Sequence, residues 1–300
     1  MQIPIFTDEV KQSGGWHGAQ LAQAFAMYGV EAIFVSLQDC VIDLSAEKPK
    51  IHIPNFKQVP KGAFVRGIAG GTLQQITTRL NILHMLQMQG VSIFNSGKAI
   101  ERTVDKAMTS FLLSHANTAS PPTWVCESCS HAHAIIAAQL PKNKLVLKPL
   151  FGSQGRGIRL LEQSSKMPVP MDDFVDGVFY LQQFVDSGKH PYDFRVLVVG
   201  NKAVAAMRRN GNSWLNNVAQ GAHCEAVDFT KSDGADMLRL AEQAAMAVDI
   251  DYCGVDIMRD KNGKLWVLEM NSIPAWSGLQ SVTKTNINQI LVDYFLNKLS

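Results

Sequence analysis

A glycine-rich turn between two apolar strands is the sequence feature that most narrows the folds open to this chain. Residues 144–148 and 158–161 are strand-like, and three glycines lie between them, Gly152, Gly155 and Gly157. A P-loop or a dinucleotide-binding turn must open a helix, and no helical pattern follows here. The segment therefore predicts a hairpin whose backbone N–H groups can close over phosphates, with Lys148 beside them. The alternative is an ordinary glycine-rich hairpin with a solvated lysine.

A second hairpin places two carboxylates opposite each other. Asn262-Gly263 is a strong hairpin signal. With a two-residue loop there, Asp256 pairs with Glu269, and Asn271 lies on the same face. Opposed carboxylates repel unless a cation lies between them, and oxygen ligands of this kind suit Mg²⁺ rather than zinc. The alternative is an exposed acidic face on an edge hairpin. The other face is predicted to be buried and carries Val255, Ile257, Leu268 and Met270.

Strands alternate with helices over residues 1–95, which predicts a small parallel sheet. One of these helices is expected from Thr72 to about Met88, followed by a strand over 91–94. The later helices are predicted at 100–115, at 233–248 and from about 286. The later strands are predicted at about 179–184, 194–199, 203–208, 252–259 and 264–270. The expected fold class is therefore α/β (α+β).

Composition excludes several classes of protein. The 300 residues are 46% hydrophobic, carry a formal net charge of +2 and contain no long run of like charge. This balance excludes a disordered chain and leads us to expect neither nucleic acid nor a membrane as partner. The N-terminus lacks the pattern of a signal peptide, and no apolar stretch of about 18 residues occurs. Five scattered cysteines indicate reduced thiols and predict a cytoplasmic protein.

Several motifs follow one another along the chain in a fixed order. They are Asn95-Ser96, Asp105-Lys106, Pro122-Thr123, Lys148 to Gly157, Gln182 to Val185, Asp193 to Arg195, and Gly254 to Asp256 with Glu269 to Asn271. In this order they resemble the ATP-grasp ligases, and among these the RimK-type glutamate ligases. The resemblance runs from about Val65 to Leu291. It implies an N-terminal α/β domain over 1–95 and two lobes, 96–182 and 183–300, that enclose a nucleotide.

The resemblance implies an ATP site built from both lobes. Its phosphate-binding residues would be Lys106, Lys148 and the loop residues Gly152, Ser153, Gly155 and Gly157. Its other nucleotide contacts would be Gln183 and Val185 for the adenine edge, Asp193 for the ribose and Asn216 near the triphosphate. Its ligands for Mg²⁺, or for Mn²⁺, would be Asp256, Glu269 and Asn271, the set that the hairpin register also gives.

The implied reaction joins a carboxylate to an amine at the expense of ATP, through an acyl phosphate and with release of ADP. Arg195 and Arg209 match the basic positions that face the transferred phosphate or the acyl group, and Arg66 is a candidate for a substrate carboxylate. A surface ion pair is the alternative for each arginine. Trp214 and Trp276 depart from the family pattern near the expected acceptor pocket. Two tryptophans favour a flat acceptor such as a pterin, to which L-glutamate would be added.

Other interpretations stay open at the level of sequence. The acceptor could be the C-terminal tail of a ribosomal or other protein, and the chain could bind ATP without catalysing a reaction. A homo-oligomer is compatible with the sequence. Four residues could also hold zinc, although their spacing is more compressed than that of ordinary zinc sites. They are Cys126, Cys129, His131 and His133.

Overall fold

A parallel sheet forms the first part of the fold. The computed structural model of the protein describes residues 1–45, 47–152, 155–165, 176–188, 191–211, 223–227 and 232–299. The elements of this region are β1 (Gln2–Phe6), α1 (Gly15–Ala26), β2 (Glu31–Val35), a small hairpin of β3 (Val41–Asp43) and β4 (Lys50–His52), β5 (Gly62–Val65), α2 (Leu73–Met88) and β6 (Ser92–Phe94). Four of these strands pair in parallel, in the spatial order β2-β1-β5-β6.

The start of α2 lies where the sequence predicts it. The Thr72 side chain accepts a hydrogen bond from the N–H of Gln75, and the Gln75 side chain accepts one from the N–H of Thr72. This reciprocal capping satisfies two N–H groups that a helix start leaves without partners. The small β3–β4 hairpin was not expected from the sequence.

Two helices occupy the region where the sequence predicts one helix over 100–115, so that prediction is wrong in this respect. They are α3 (Gly97–Val104) and α4 (Lys106–His115). Asp105 between them has extended backbone, and its carboxylate accepts hydrogen bonds from the N–H groups of Ala107 and Met108. An aspartate that caps the next helix ends the previous one, because its backbone must leave the helical conformation.

An antiparallel sheet, the central sheet, follows. Its elements are β7 (Thr123–Cys126), α5 (Cys129–Gln139), β8 (Leu145–Lys148), β9 (Arg159–Leu161) and β10 (Phe179–Gln183). The spatial order of its strands is β7-β10-β8-β9. The strands β8 and β9 pair antiparallel around the glycine turn, as predicted. Side chains of α5 pack on one face of this sheet against Leu145, Leu147 and Leu181. The opposite face therefore remains for the site.

A second antiparallel sheet forms the last part of the fold. Its strands and the helices around it are β11 (Tyr192–Val199), β12 (Lys202–Asn210), β13 (His223–Ala226), α6 (Ser232–Val248), β14 (Tyr252–Arg259), β15 (Leu265–Asn271), α7 (Ser277–Val282) and α8 (Ile287–Asn297). The spatial order of the strands is β13-β12-β11-β14-β15. Helix α6 covers one face together with residues of α3 and α4. The other face packs partly against the first sheet and α8. Strand β13 and helix α7 were not expected from the sequence.

The β14–β15 hairpin confirms the pairing of Asp256 with Glu269, by a route that differs from the predicted one. The loop has three residues rather than two, because Asp260 N–H bonds to Lys264 O, and Gly263 takes a φ of 90°. A bulge at Leu268 then restores the register. Val267, rather than Leu268, therefore joins the buried face at 1% exposure, and Leu268 is half-buried.

A buried asparagine side chain ties the first sheet to the last one. Asn95, fully buried, donates to the carbonyls of Tyr252 and Ser272 and accepts from the N–H groups of Asp251 and Tyr252. Among the described residues, the three larger sheets follow the predicted segments 1–95, 96–182 and 183–300, except that β10 of the central sheet extends to Gln183. The helices cross these limits, since α8 packs on the first sheet. The division into domains stays a prediction. Across the described ranges, every helix is too short or too polar to cross a lipid bilayer.

Candidate active site

Lys148 lies on the face of the central sheet that α5 leaves uncovered, held by a chain of polar groups. Its Nζ donates to Oε1 of Gln182 at 2.7 Å. The Gln182 amide nitrogen donates to the hydroxyls of Thr123 at 3.2 Å and Tyr180 at 3.0 Å. The Tyr180 hydroxyl also shares a hydrogen bond of 2.7 Å with Ser110. This arrangement fixes the amide so that its oxygen faces the lysine.

Sequence reasoning missed the orienting role of Gln182 and Tyr180. A signal was present, because Tyr180 and Gln182 are two residues apart on one strand and therefore share a face. That face is the one that carries Lys148, since Tyr180 pairs directly with Lys148 across β8 and β10.

Lys106 holds the base of the glycine turn. It is the first residue of α4, and its Nζ lies 3.1 Å from the carbonyl oxygens of both Leu150 and Gly152. Gly155 and Gly157 have φ values of 72° and 74°, a region that side chains rarely adopt. The structure thus brings Lys106 to the same turn as Lys148. Ser153, the fourth loop residue of the predicted site, lies outside the described residues.

Lys106, Lys148 and Glu269 form an electrostatically coupled group. Burial lowers the pKa of Lys148 to about 8; Glu269 and Asp256 oppose this shift, and Lys106 adds to it. Burial also lowers the pKa of Lys106, against the attraction of Glu269. Burial and the neighbouring Asp256 raise the pKa of Glu269. An anion bound between the two lysines would stabilise their charged forms, which burial disfavours, so the pair favours anion binding.

Asp256 lies on the second antiparallel sheet, in a chain of acidic and basic side chains that contact one another. Arg195 binds both of its carboxylate oxygens, each at 2.7 Å. Arg209 reaches Asp256 at 3.1 Å and binds both oxygens of Asp193, at 2.7 and 2.6 Å. Burial alone would raise the pKa of Asp256, but the two guanidinium groups outweigh it and lower the pKa to about 2. Asp193 and Asp256 likewise raise the pKa of Arg209, against burial.

The predicted metal ligands offer a donor set that fits a divalent cation. Asp256, Glu269 and Asn271 lie along one end of the hairpin, and Asp256 stands directly opposite Glu269. Burial and Asp256 raise the pKa of Glu269 despite the nearby lysines, so a bound cation would stabilise its ionised form. Glu269 and Asn271 would hold Mg²⁺, together with Asp256, which is shared with the two arginines. Bound there, the cation would withdraw negative charge from phosphate oxygens.

The segment that follows β10 borders a cavity. Gln183 N–H donates to Pro122 O, and Phe184 N–H donates to Lys144 O, so the strand edge continues into this segment. Gln183 and Val185, the residues expected at the adenine edge, both line a cavity of about 400 Å³ with Trp266 on another wall. The structure therefore places both residues at an opening between the sheets.

Arg66 and Trp276 are neighbours, but only the arginine is accessible. The Arg66 guanidinium carbon lies 4.6 Å from the centre of the Trp276 ring, and its Nη1 donates to Pro274 O at 3.0 Å. Trp276 is 0% exposed, and its indole N–H donates to Asn288. The expectation that Trp276 presents a flat surface to an acceptor is therefore corrected, because α8 and the first sheet enclose the ring. Trp214 and Asn216 lie outside the described residues.

His17 supports the same loop and was not expected to do so. Its Nε2 accepts the backbone N–H of Trp276 at 3.0 Å. Burial and the nearby Arg66 lower the pKa of His17 to about 4, so the imidazole is neutral at pH 7. A neutral ring can accept this hydrogen bond, whereas a protonated ring cannot.

The zinc interpretation gains no support. Cys129 Sγ lies 3.4 Å from His133 Nδ1, one helical turn away. No set of three or more His, Cys, Asp or Glu side chains that could hold a metal occurs among the described residues. The cysteine and histidine side chains of this segment therefore form a pair rather than a four-ligand site.

Comparison with known proteins decides the family. Residues 103–295 match the RimK-like ATP-grasp domain. The chain belongs to the RimK-like ATP-grasp family. A tetrahydromethanopterin:alpha-L-glutamate ligase of Methanococcus maripaludis is 35% identical over 242 residues, which cover 79% of each protein. A probable alpha-L-glutamate ligase of Vibrio vulnificus is 27% identical over 279 residues, 92% of this chain and 89% of that protein.

Solved structures support the fold of this RimK-like protein. The structure of the ATP-grasp ligase PsnB with a minimal precursor has a TM-score of 0.75 at 18% identity and covers 99% of both chains. The family resemblance and the α/β ATP-grasp fold expected from the sequence are confirmed. The chain is an ATP-dependent ligase of this family.

Proposed function

We propose that this ATP-grasp ligase adds L-glutamate to a carboxylate-bearing small molecule of the pterin-cofactor type. The observation that carries its ATP chemistry is the meeting of Lys106, Lys148 and Glu269 beside the glycine turn, with Asp256 on the facing strand. The substrates are supported by similarity, since the relative of Methanococcus maripaludis at 35% identity is a tetrahydromethanopterin:alpha-L-glutamate ligase.

The proposed reaction uses the charges in the site. The acceptor carboxylate attacks the γ-phosphate of ATP and ADP leaves, while Lys148 and Lys106 stabilise the charge that spreads over the phosphoryl oxygens. The resulting acyl phosphate is then attacked by the amine of glutamate, which forms the amide and releases phosphate. The glycine turn excludes water from the acyl phosphate, and the Lys106 contacts to Leu150 and Gly152 hold its base.

Arg66 is the proposed contact for a substrate carboxylate. Its Nε is buried without a hydrogen-bond partner among the described residues. It lies at the carboxyl end of a parallel strand, the edge at which ligands of such sheets gather. Pro274 connects it to the rest of the site, because Pro274 also borders Gly254 beside Arg195.

The test is a screen for ADP release with L-glutamate and a panel of pterin-type carboxylic acids, followed by mass spectrometry of the acceptor. We expect ADP release that requires both substrates and a mass gain of one glutamyl residue. A panel of peptides with free C-termini runs in parallel. Turnover with peptides alone would replace the small-molecule acceptor by a protein tail. Nucleotide binding without turnover on any acceptor would contradict the proposal.

A further inference from the structure

The connections of the first sheet diverge between β1 and β5, which are neighbouring strands. The chain leaves β1 through α1 toward β2, and it leaves β5 through α2 toward β6 on the other side. Helix α1 packs on one face of the sheet with Ile5 and Phe64, whereas α2 packs on the opposite face with Ala63 and Val65. The loops that follow β1 and β5 therefore separate toward opposite faces, and open α/β sheets bind ligands in the crevice at such a point.

The two loops that border this crevice are close together at their base. The N–H groups of Arg66 and Gly67 both donate to Phe6 O, at 2.7 and 3.1 Å. A Cβ on Gly67 would lie 2.2 Å from Asp8 Oδ1, so a side chain there would displace the neighbouring loop. Residues of both loops can therefore reach one bound molecule.

Trp16 supplies an exposed flat ring beside this crevice. It lies in the first turn of α1 and is 44% exposed, whereas Trp276 is 0% exposed. Its ring packs edge-on against His17, with 5.0 Å between ring centres, and His17 packs edge-on against Trp276 at 4.7 Å. The Arg66 guanidinium completes the series over the Trp276 ring. Each step spans 5.0 Å or less, so one elongated molecule can reach both Trp16 and Arg66.

The two ends of this series offer different chemistry. Arg66 is a permanent cation whose Nε has no hydrogen-bond partner among the described residues, and a guanidinium suits a carboxylate. His17 adds no second charge at pH 7, because burial and Arg66 lower its pKa to about 4. An exposed indole is suited to stack on a flat ring. A ligand that satisfies both ends carries a carboxylate and a planar ring system.

We propose that this crevice is the acceptor site, in which Trp16 stacks on the flat ring of the acceptor while Arg66 binds its carboxylate. The inference rests on the proposed function and adds the residue that selects flat acids. Trp16 thus takes the role that the sequence led us to expect of Trp276. Loss of its ring weakens binding of a flat acid about tenfold, the size of one aromatic contact.

The test measures Kd for pteroate by calorimetry, with ADP and Mg²⁺ present, in the wild type, Trp16→Leu and Trp16→Phe. Trp16→Leu keeps apolar bulk but removes the flat ring, so we expect Kd for pteroate to rise about tenfold and Kd for ADP to stay unchanged. Trp16→Phe should retain most of the affinity. An unchanged Kd for pteroate in Trp16→Leu, or an equal loss in Trp16→Phe, would overturn the proposal.

The matched control is Phe111→Leu, which removes a ring from α4 in the same way. Phe111 is 62% exposed and stacks on His115, so we expect its loss to leave Kd for pteroate unchanged. A similar rise in Kd for this variant would show a general effect of lost rings and overturn the proposal.

A measurement on the wild type keeps the test decisive if the Trp16 variants do not fold. Pteroate should protect Trp16 from oxidation by N-bromosuccinimide, located by mass spectrometry of peptides, and an unprotected Trp16 would overturn the proposal. A wild type that binds ADP but not pteroate would also overturn it. Turnover of a pterin-type acid with an unchanged KM in Trp16→Leu would keep the proposed function and remove this site. Pteroate binding that depends on Trp16, without turnover of any acid, would keep the site and remove the proposed function.

Discussion

Glu269 and Asp256 face each other but differ in their contacts, and so they should respond differently to loss of charge. The raised pKa of Glu269 means that its ionised form opposes folding at pH 7. We therefore expect Glu269→Gln to keep or increase the free energy of unfolding. It should lower kcat by at least about 100-fold, as for other electrostatic contacts to a transition state. Steady-state kinetics and urea unfolding measure the two effects, and near-normal kcat would remove Glu269 from the site.

Asp256→Asn should lower both activity and stability. Asp256 binds Arg195 and Arg209, and its lowered pKa shows that its ionised form favours folding above pH 4. Breaking a buried ion pair costs about 3–5 kcal/mol. Urea unfolding at pH 7 should show a loss of this size for Asp256→Asn. No loss of stability, the result expected for Glu269→Gln, would contradict the charge network.

Lys148 should set the alkaline limit of nucleotide use. Its pKa in the free protein is about 8, so the ammonium that attracts phosphate is lost as the pH rises through this value. We expect kcat/KM for ATP to fall above pH 8. In Lys148→Arg this fall should disappear, because a guanidinium stays protonated. An unchanged alkaline limit in this variant would assign the titration to another group.

The role of a residue could be predicted when its partners lie close to it in the sequence. Asp256 and Glu269 were predicted to pair because the hairpin turn lies only a few residues away from both. Trp276 was misjudged because its burial depends on α8 and the first sheet, which are distant in sequence. Asp193 resembles a ribose ligand by motif, and only the register with β12 reveals its partner Arg209.

At the level of elements, the start of α4 connects helix capping to phosphate binding. Asp105 caps this helix, and Lys106 is its first residue. Asp105→Ala should cost about 1 kcal/mol of stability. It should also raise KM for ATP by about three- to tenfold, since a displaced Lys106 loses up to about 1.4 kcal/mol of binding.

Ser128→Ala is the matched control for that prediction. Ser128 caps α5 in the same way, by accepting the His131 N–H, and α5 packs on the opposite face of the central sheet. It should cost a similar free energy of unfolding and leave KM for ATP unchanged. Equal effects of both variants on KM would show that the cap of α4 has no specific effect on ATP binding.

Elements with clear local signals were predicted well, and irregular ones were not. The start of α2 at Thr72 and the glycine hairpin were both expected. The bulge at Leu268 has no local signal, because a Leu fits either face of a strand. It is required only because a three-residue loop shifts the register that the opposed carboxylates need.

At the scale of the whole molecule, Asn95 joins the first sheet to the last. Its side chain satisfies four backbone groups of residues 251, 252 and 272. Asn95→Ala would leave them buried without partners, so we expect a loss of at least about 3 kcal/mol in the free energy of unfolding. Asn95→Asp places a carboxylate oxygen against the two carbonyls that the amide nitrogen serves, so it should lose at least as much as Asn95→Ala in urea unfolding. Wild-type stability of both variants would contradict this tie.

The parallel first sheet followed from the alternation of segments along the chain, and in each antiparallel sheet the sequence predicted one hairpin, β8–β9 and β14–β15. Their mutual packing did not, because it depends on contacts such as that of Phe295 in α8 with Phe64 in β5, which are far apart in sequence. The site lies between sheets, so its residue types were predicted while their partners emerged only in three dimensions.

The central claim is that the two sheets hold a metal-bound nucleotide between Lys106, Lys148 and Glu269. A crystal structure with Mg²⁺ and a non-hydrolysable ATP analogue tests it most directly. We predict that the triphosphate contacts both lysines and that the metal binds Glu269 and Asn271. A nucleotide bound away from the lysines, or a metal without Glu269 among its ligands, would contradict the account.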